Sequence, residues 1–213
     1  MKTLLALTIA IAIAWLCYRH WYAPVEQPSG VLISTEPEQE MLPENADAIE
    51  HGAFHLKPLA KFSIDARLLH RKRYPFDRNA ALVPLDLALG WGAMSDSAVL
   101  AQLKISQSMR FYWYEYRLPP PIPKDEIIRH STNVHIIPAN DAIEQACRSL
   151  RPGELIHLDG ELVEASGQSM HGTWRSSLRR DDTGNGACEL LLVEHVSKLE
   201  AEAVTAETRL VRR

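Results

Sequence analysis

Arg179, Asp181 and Glu189 lie close together in the last part of the chain, and His135 precedes them. Two carboxylates, an imidazole and a guanidinium can hydrolyse phosphodiester or glycosidic bonds when they converge on one pocket. No spacing here puts the four groups on one helix face or one strand face, so the sequence contains the parts of a small hydrolase without their assembly. Cys188, beside Glu189, is a second candidate: a thiol becomes a nucleophile when a base such as His135 or His195 takes its proton. Against this stand two plainer readings of the cysteines. Cys147 and Cys188 form a disulfide between a helix and the last strand if their Cα atoms approach closely enough, or both are small buried hydrophobes. No catalytic residue is assigned.

Histidines recur at 130, 135, 157, 171 and 195. Three converging imidazoles would hold a metal, but none of these pairs sits at i, i+4 on a convincing helix, and neither metal nor cofactor is expected. The turn from Asp181 to Gly186 lacks the alternating ligands and distal Glu of a calcium loop, and a hairpin connection explains it. Basic residues cluster at His70, Arg71, Lys72 and Arg73, near Arg67 and Arg78. Such a cluster can meet phosphate, lipid headgroups or an acidic partner, although a solvated strand end accounts for it more simply. The net charge of −4 gives no general reason to expect a nucleic-acid partner.

Aromatic residues make the better case. Phe111, Tyr112, Trp113, Tyr114 and Tyr116 follow one another in a segment that reads as a strand. Its alternation puts the three tyrosines on one face, which can be a stacking platform for sugars or bases or the wet edge of a core. The candidate ligand-binding residues are therefore Trp91, Tyr112, Trp113, Tyr114 and Arg179.

Several elements must position them. Residues 3–18 are uncharged and apolar all round, followed by Arg19, His20, Trp21 and Tyr22. This predicts an uncleaved single-pass membrane anchor at 1–22, with the bilayer as a partner of that helix; the rival reading is a cleaved secretory signal with its small residues at Ala10 and Ala12 or Ala12 and Ala14. Residues 23–54 are acidic and interrupted by prolines, which predicts a solvated linker, including Val31, Leu32 and Ile33. The absence of basic residues after the anchor places the body in the periplasm of a bacterial inner-membrane protein. Residues 55–196 suffice for one domain, and 197–213 form a polar tail.

Within the domain, residues 62–68 alternate as a strand. Residues 83–89 suggest a short buried helix ended by Gly90, Trp91 and Gly92. Ser95 looks like the N-cap of a second helix. Asn140 or Asp141 starts another helix that runs to Leu150. Residues 154–196 predict three consecutive antiparallel strands, with Gly160 at a bend. The fold class expected is α+β: a transmembrane helix, then a small curved antiparallel sheet or barrel with two or three short helices.

Three segments carry a resemblance: residues 86–96 (DLALGWGAMSD), 133–138 (NVHIIP) and 176–189 (SSLRRDDTGNGACE). They resemble an uncharacterised group of bacterial exported or membrane-anchored proteins, which implies location but no activity, ligand or catalytic residue. The last β segments also resemble small oligonucleotide- or oligosaccharide-binding barrels. Together these features predict a membrane-tethered binding or assembly module that meets a protein partner at the membrane. The alternative is a small extracytoplasmic hydrolase.

Overall fold

The computed structural model describes residues 2–168, 170, 172–184 and 186–200. His171 and residues 201–213, which include most of the expected tail, lie outside the described residues.

A long strand, β3 (Phe54–Arg73), organises the domain. Its alternating apolar residues face the core, with Leu56, Phe62, Ile64 and Leu68 all buried. Register shifts between Pro58 and Ala60 and between Leu68 and His70 let it bend. The first part of β3 pairs with β8 (Leu155–Gly167), and its end pairs with β4 (Leu85–Gly90). From there β4 pairs with β7 (Ser131–Pro138), β7 with β10 (Glu189–Leu199), and β10 with β8. The pairings thus return to β3 and form a closed ring of five strands. All are antiparallel except β7 with β10, which run parallel. Leu85, Leu87, Ile136, Leu158 and Leu191 fill the main core.

Shorter elements decorate the ring. β1 (Glu38–Met41) and β2 (Ile49–His51) pair with β3, and β9 (Trp174–Arg175) pairs with β8. Between β4 and β7 the chain forms a short 3-10 helix (Gly92–Ser95), α2 (Ser97–Leu100) and a separate hairpin, followed by α3 (Lys124–Arg129). The hairpin joins β5 (Leu103–Ser108) to β6 (Phe111–Tyr116). Helix α4 (Asp141–Ser149) connects β7 to β8 and puts Cys147 into the main core. Asn140 caps its start by accepting from the Ile143 amide at 3.1 Å.

The transmembrane helix expected at the start is overturned. Helix α1 (Lys2–Tyr22) is present, but no helix among the described residues is long and apolar enough to cross a membrane. The inner-membrane, single-pass, periplasmic placement and the bilayer partner lose their support with it. The sheet is also mixed and not purely antiparallel, while the three short α-helices beside α1 agree with the two or three expected. Residues 83–89, read as a helix, largely form β4: every residue of this strand is buried, on both faces, so it lacks the alternation of a half-buried strand and imitates a buried helix.

Nor is the acidic segment a free linker. Leu32 and Ile33 are buried in the main core, and their amides donate to Ser95 Oγ at 3.0 and 3.1 Å. Val25 donates its amide to the Pro152 carbonyl at 2.7 Å, and Gln27 Nε2 donates to the Gly153 carbonyl at 3.0 Å. Ser95 therefore fastens this strap, while Asp96 caps α2 by accepting from the Ala98 amide. The basic cluster is likewise engaged. Arg71 donates to the carbonyls of Arg148 and Leu150, and Arg73 donates to that of Arg148, satisfying carbonyls at the end of α4.

Candidate ligand-binding cavity

The β5–β6 hairpin is docked on the ring by its own turn. Met109 and Arg110 adopt positive φ (51° and 68°), and this turns the Arg110 side chain toward β4. Its guanidinium donates to Asp86 Oδ1 (2.9 Å), Asp77 Oδ2 (2.8 Å) and the Val83 carbonyl (2.9 Å), and lies 3.8 Å from the Tyr74 ring centroid. His135 Nδ1 also meets Asp86 Oδ1 at 2.9 Å. Asn133 Nδ2 donates to the Arg110 carbonyl (3.2 Å), and Gln107 Nε2 donates to Asn133 Oδ1. The hairpin is held over β7 by these polar contacts.

The docked hairpin leaves a cavity of about 180 Å³ between itself, the start of β7 and residues 179–189. Trp91, Phe111, Tyr112 and Tyr114 supply aromatic surface. Thr132, Asn133, Asp182 and Glu189 supply hydroxyl, amide and carboxyl groups. Trp91 is itself nearly buried, and its indole N–H donates to Glu36 Oε2 at 2.9 Å. The loop before β10 is braced where Asp182 accepts from Ser177 Oγ at 2.7 Å and where the Leu190 amide donates to Ser176 Oγ at 3.0 Å.

Of the five expected ligand-binding residues, Trp91, Tyr112, Tyr114 and Arg179 line this one cavity. Trp113 does not. It alternates to the other side of β6, 53% exposed, and touches only a shallow outer groove at the edge of the hairpin, which Tyr112, Tyr114, Tyr116 and Lys124 also line. Alternation along a strand separates it from its neighbours.

The hydrolase constellation is only partly assembled. Arg179 and Glu189 reach the cavity, but Asp181 holds the exposed Arg179 side chain through bonds of 3.0 and 3.1 Å. His135 is buried against Asp86 and the Trp174 ring and does not line the cavity. Burial raises the Glu189 carboxyl to about 7, against an opposing hydrogen bond donated by Thr132. Burial also pushes the Cys188 thiol up to about 11, so it stays protonated at neutral pH and is no ready nucleophile.

The proposed disulfide is absent, because Cys147 and Cys188 are both free. Cys147 is committed to the core beneath α4, whereas Cys188 lines the cavity and takes a 3.6 Å contact from Asn133 Nδ2. Among the described residues no group of His, Cys, Asp and Glu could hold a metal. His130 meets Glu36 and Glu126, and His157 meets Asp65 and Asp159.

Thr132, Asn133, Asp182 and Phe111 were not among the expected ligand-binding residues. A signal for several of them was nevertheless present. The three segments that carried the resemblance meet here: the first brings Trp91, the second Asn133 and the third Arg179, Asp182 and Glu189.

No protein-family model matches the chain, and no curated protein matches it. Among solved structures it is similar to Rim1, a mitochondrial single-stranded DNA-binding protein from S. cerevisiae. The identity is 12%, covering 66% of this chain and 93% of that one, with a TM-score of 0.25. A likeness this loose carries no argument about function.

Proposed function

We propose that the chain is a binding module whose ligand seats in the cavity beneath the β5–β6 hairpin. The observation that carries this reading is the meeting of Trp91, Tyr112 and Tyr114 with Asn133, Arg179 and Glu189, from segments distant in sequence, in one concave site. Aromatic faces remove apolar ring surface from water, and a few placed polar groups fix orientation. Ring order supports it further. Numbering the ring strands along the chain, the order is 1-2-3-5-4, closing on 1, with 3 and 5 parallel. That is the connectivity of five-stranded Greek-key barrels that bind oligonucleotides or oligosaccharides beside strands 2 and 3 and their loops. The cavity opens beside the third strand and the loop between the fourth and fifth. The site bears the argument, and the fold agrees with it.

The test is a thermal-shift screen of the full chain against nucleotides, sugars, amino acids and short peptides. A compound that raises the midpoint for the native chain and not for Tyr114→Ala supports the reading; no shift from any class overturns it. A second reading, hydrolysis, draws on Glu189, a cavity carboxyl raised to about 7 with Asp182 nearby. Turnover of a phosphodiester or glycoside that vanishes in a folded Glu189→Ala variant would replace binding with catalysis.

A further inference from the structure

The tyrosines of β6 do not stop at the cavity. Tyr112 and Tyr114 line it, their ring centroids 5.8 Å apart, and Tyr116 continues the row 6.3 Å beyond Tyr114. The Tyr114 and Tyr116 rings are inclined by only 16°. Tyr116 borders the shallow outer groove, so one row of rings leads from the enclosed site to the surface. A row of this form serves a ligand with several ring units in succession.

The charges along the row discriminate between ring-bearing polymers. A nucleic-acid track needs cations free to replace the counterions of successive phosphates. Arg179 is forked onto Asp181; Arg180, 5.7 Å from the Phe62 ring centroid, lines the same wall as Asp182 and Glu189, so cations and carboxyls balance there. In the outer groove Lys124 stands with Glu115, whose carboxylate accepts from Lys104 at 3.0 Å. The path is therefore near neutral but rich in hydroxyl and amide groups at Ser131, Thr132, Asn133 and Thr183. These groups suit a ligand that presents many hydroxyls.

Resting on the binding-module reading, we infer that the ligand is a neutral oligosaccharide. Its end unit occupies the cavity against Tyr112 and Tyr114, and its following units run outward over Tyr116.

Titration calorimetry of the full chain tests this with disaccharides and hexasaccharides of glucose, mannose, galactose and N-acetylglucosamine, and with a single-stranded oligothymidylate. One hexasaccharide series is expected to bind with an affinity that changes less than about twofold between low and physiological salt. Tyr116→Ala should weaken that hexasaccharide about tenfold and leave its disaccharide unchanged, whereas Tyr114→Ala weakens both. Equal losses for both lengths in Tyr116→Ala overturn the outward path. Salt-steep binding of oligothymidylate in place of sugar overturns the assignment in favour of nucleic acid. A non-sugar ligand lost in Tyr114→Ala, with no sugar bound, overturns the assignment and leaves the cavity reading standing.

Discussion

Arg110 reaches from the turn of the β5–β6 hairpin to the fully buried Asp86 on β4, 2.9 Å from Nη1 to Oδ1. This pair connects an element that carries the aromatic row to the ring that supports it. Two buried charges gain from each other only while both are present, because either alone bears the full cost of desolvation.

Arg110→Ala should therefore destabilise the chain by about 3–5 kcal/mol, the usual loss on breaking a buried pair. Urea unfolding measures it. Arg110→Lys should recover little, since a lysine cannot donate at once to Asp86, Asp77 and the Val83 carbonyl. A variant as stable as the native chain would show that the hairpin docks by other means.

Gly160 faces β10 so closely that a Cβ built on it overlaps the Leu192 carbonyl oxygen. Gly160→Ala must push β8 and β10 apart beside the irregularity in β10 after Val193. It should lower stability by a few kcal/mol, on the order expected of overpacking. The thermal midpoint checks this, and an unchanged value would contradict the close approach.

Stability should also fall as pH rises from about 4.5 to about 7, because of Glu189. Burial lifts its folded-state value to about 7 from an ordinary 4.5, so the folded chain holds a proton that the unfolded chain releases. Asp182 nearby adds to the effect, while the Thr132 hydrogen bond and Arg180 oppose it. The loss is on the order of 3 kcal/mol across that window. Glu189→Gln should flatten it in urea titrations at successive pH values, and a slope identical to the native one would refute the assignment.

His157 adds a separate dependence at higher pH. Partial burial opposes its protonation, but hydrogen bonds with Asp65 and Asp159, both 2.6 Å, outweigh this and raise its value above the ordinary 6.5. The stabilisation is complete below 6.5 and lost as pH rises through the raised value. His157→Gln should remove that part of the profile. NMR titration of the ring gives a direct reading, and a midpoint at or below 6.5 would be incompatible with the clamp.

Local patterns in the sequence carried several elements correctly to their places. Alternation at residues 62–68 marks part of β3, and the aromatic run marks β6 with Tyr112 and Tyr114 on its cavity side. The failures share a cause, which is that non-local pairing leaves no local mark. Val83 to Leu89 is apolar apart from Asp86 because every residue of β4 is buried, and helical and doubly buried stretches then look alike. Leu32 and Ile33 are two apolar residues in an acidic setting, and only the distant Ser95 shows that they are core. The parallel pairing of β7 with β10 depends on the crossing of α4 and β8 between them, which no spacing reveals. Thr132 and Asn133 are polar residues of ordinary type. They became site residues only when the hairpin folded over β7.

The strap at residues 25–33 bears on where the domain can be cut. A fragment begun at His55 would discard Leu32 and Ile33, both strands paired to the outside of β3, and the amides that satisfy Ser95. It would also strip Glu36 from the indole of Trp91, loosening the floor of the cavity itself. The shortest autonomous piece therefore starts near Pro24. Limited proteolysis should trim the exposed helix ahead of that point while sparing the strap.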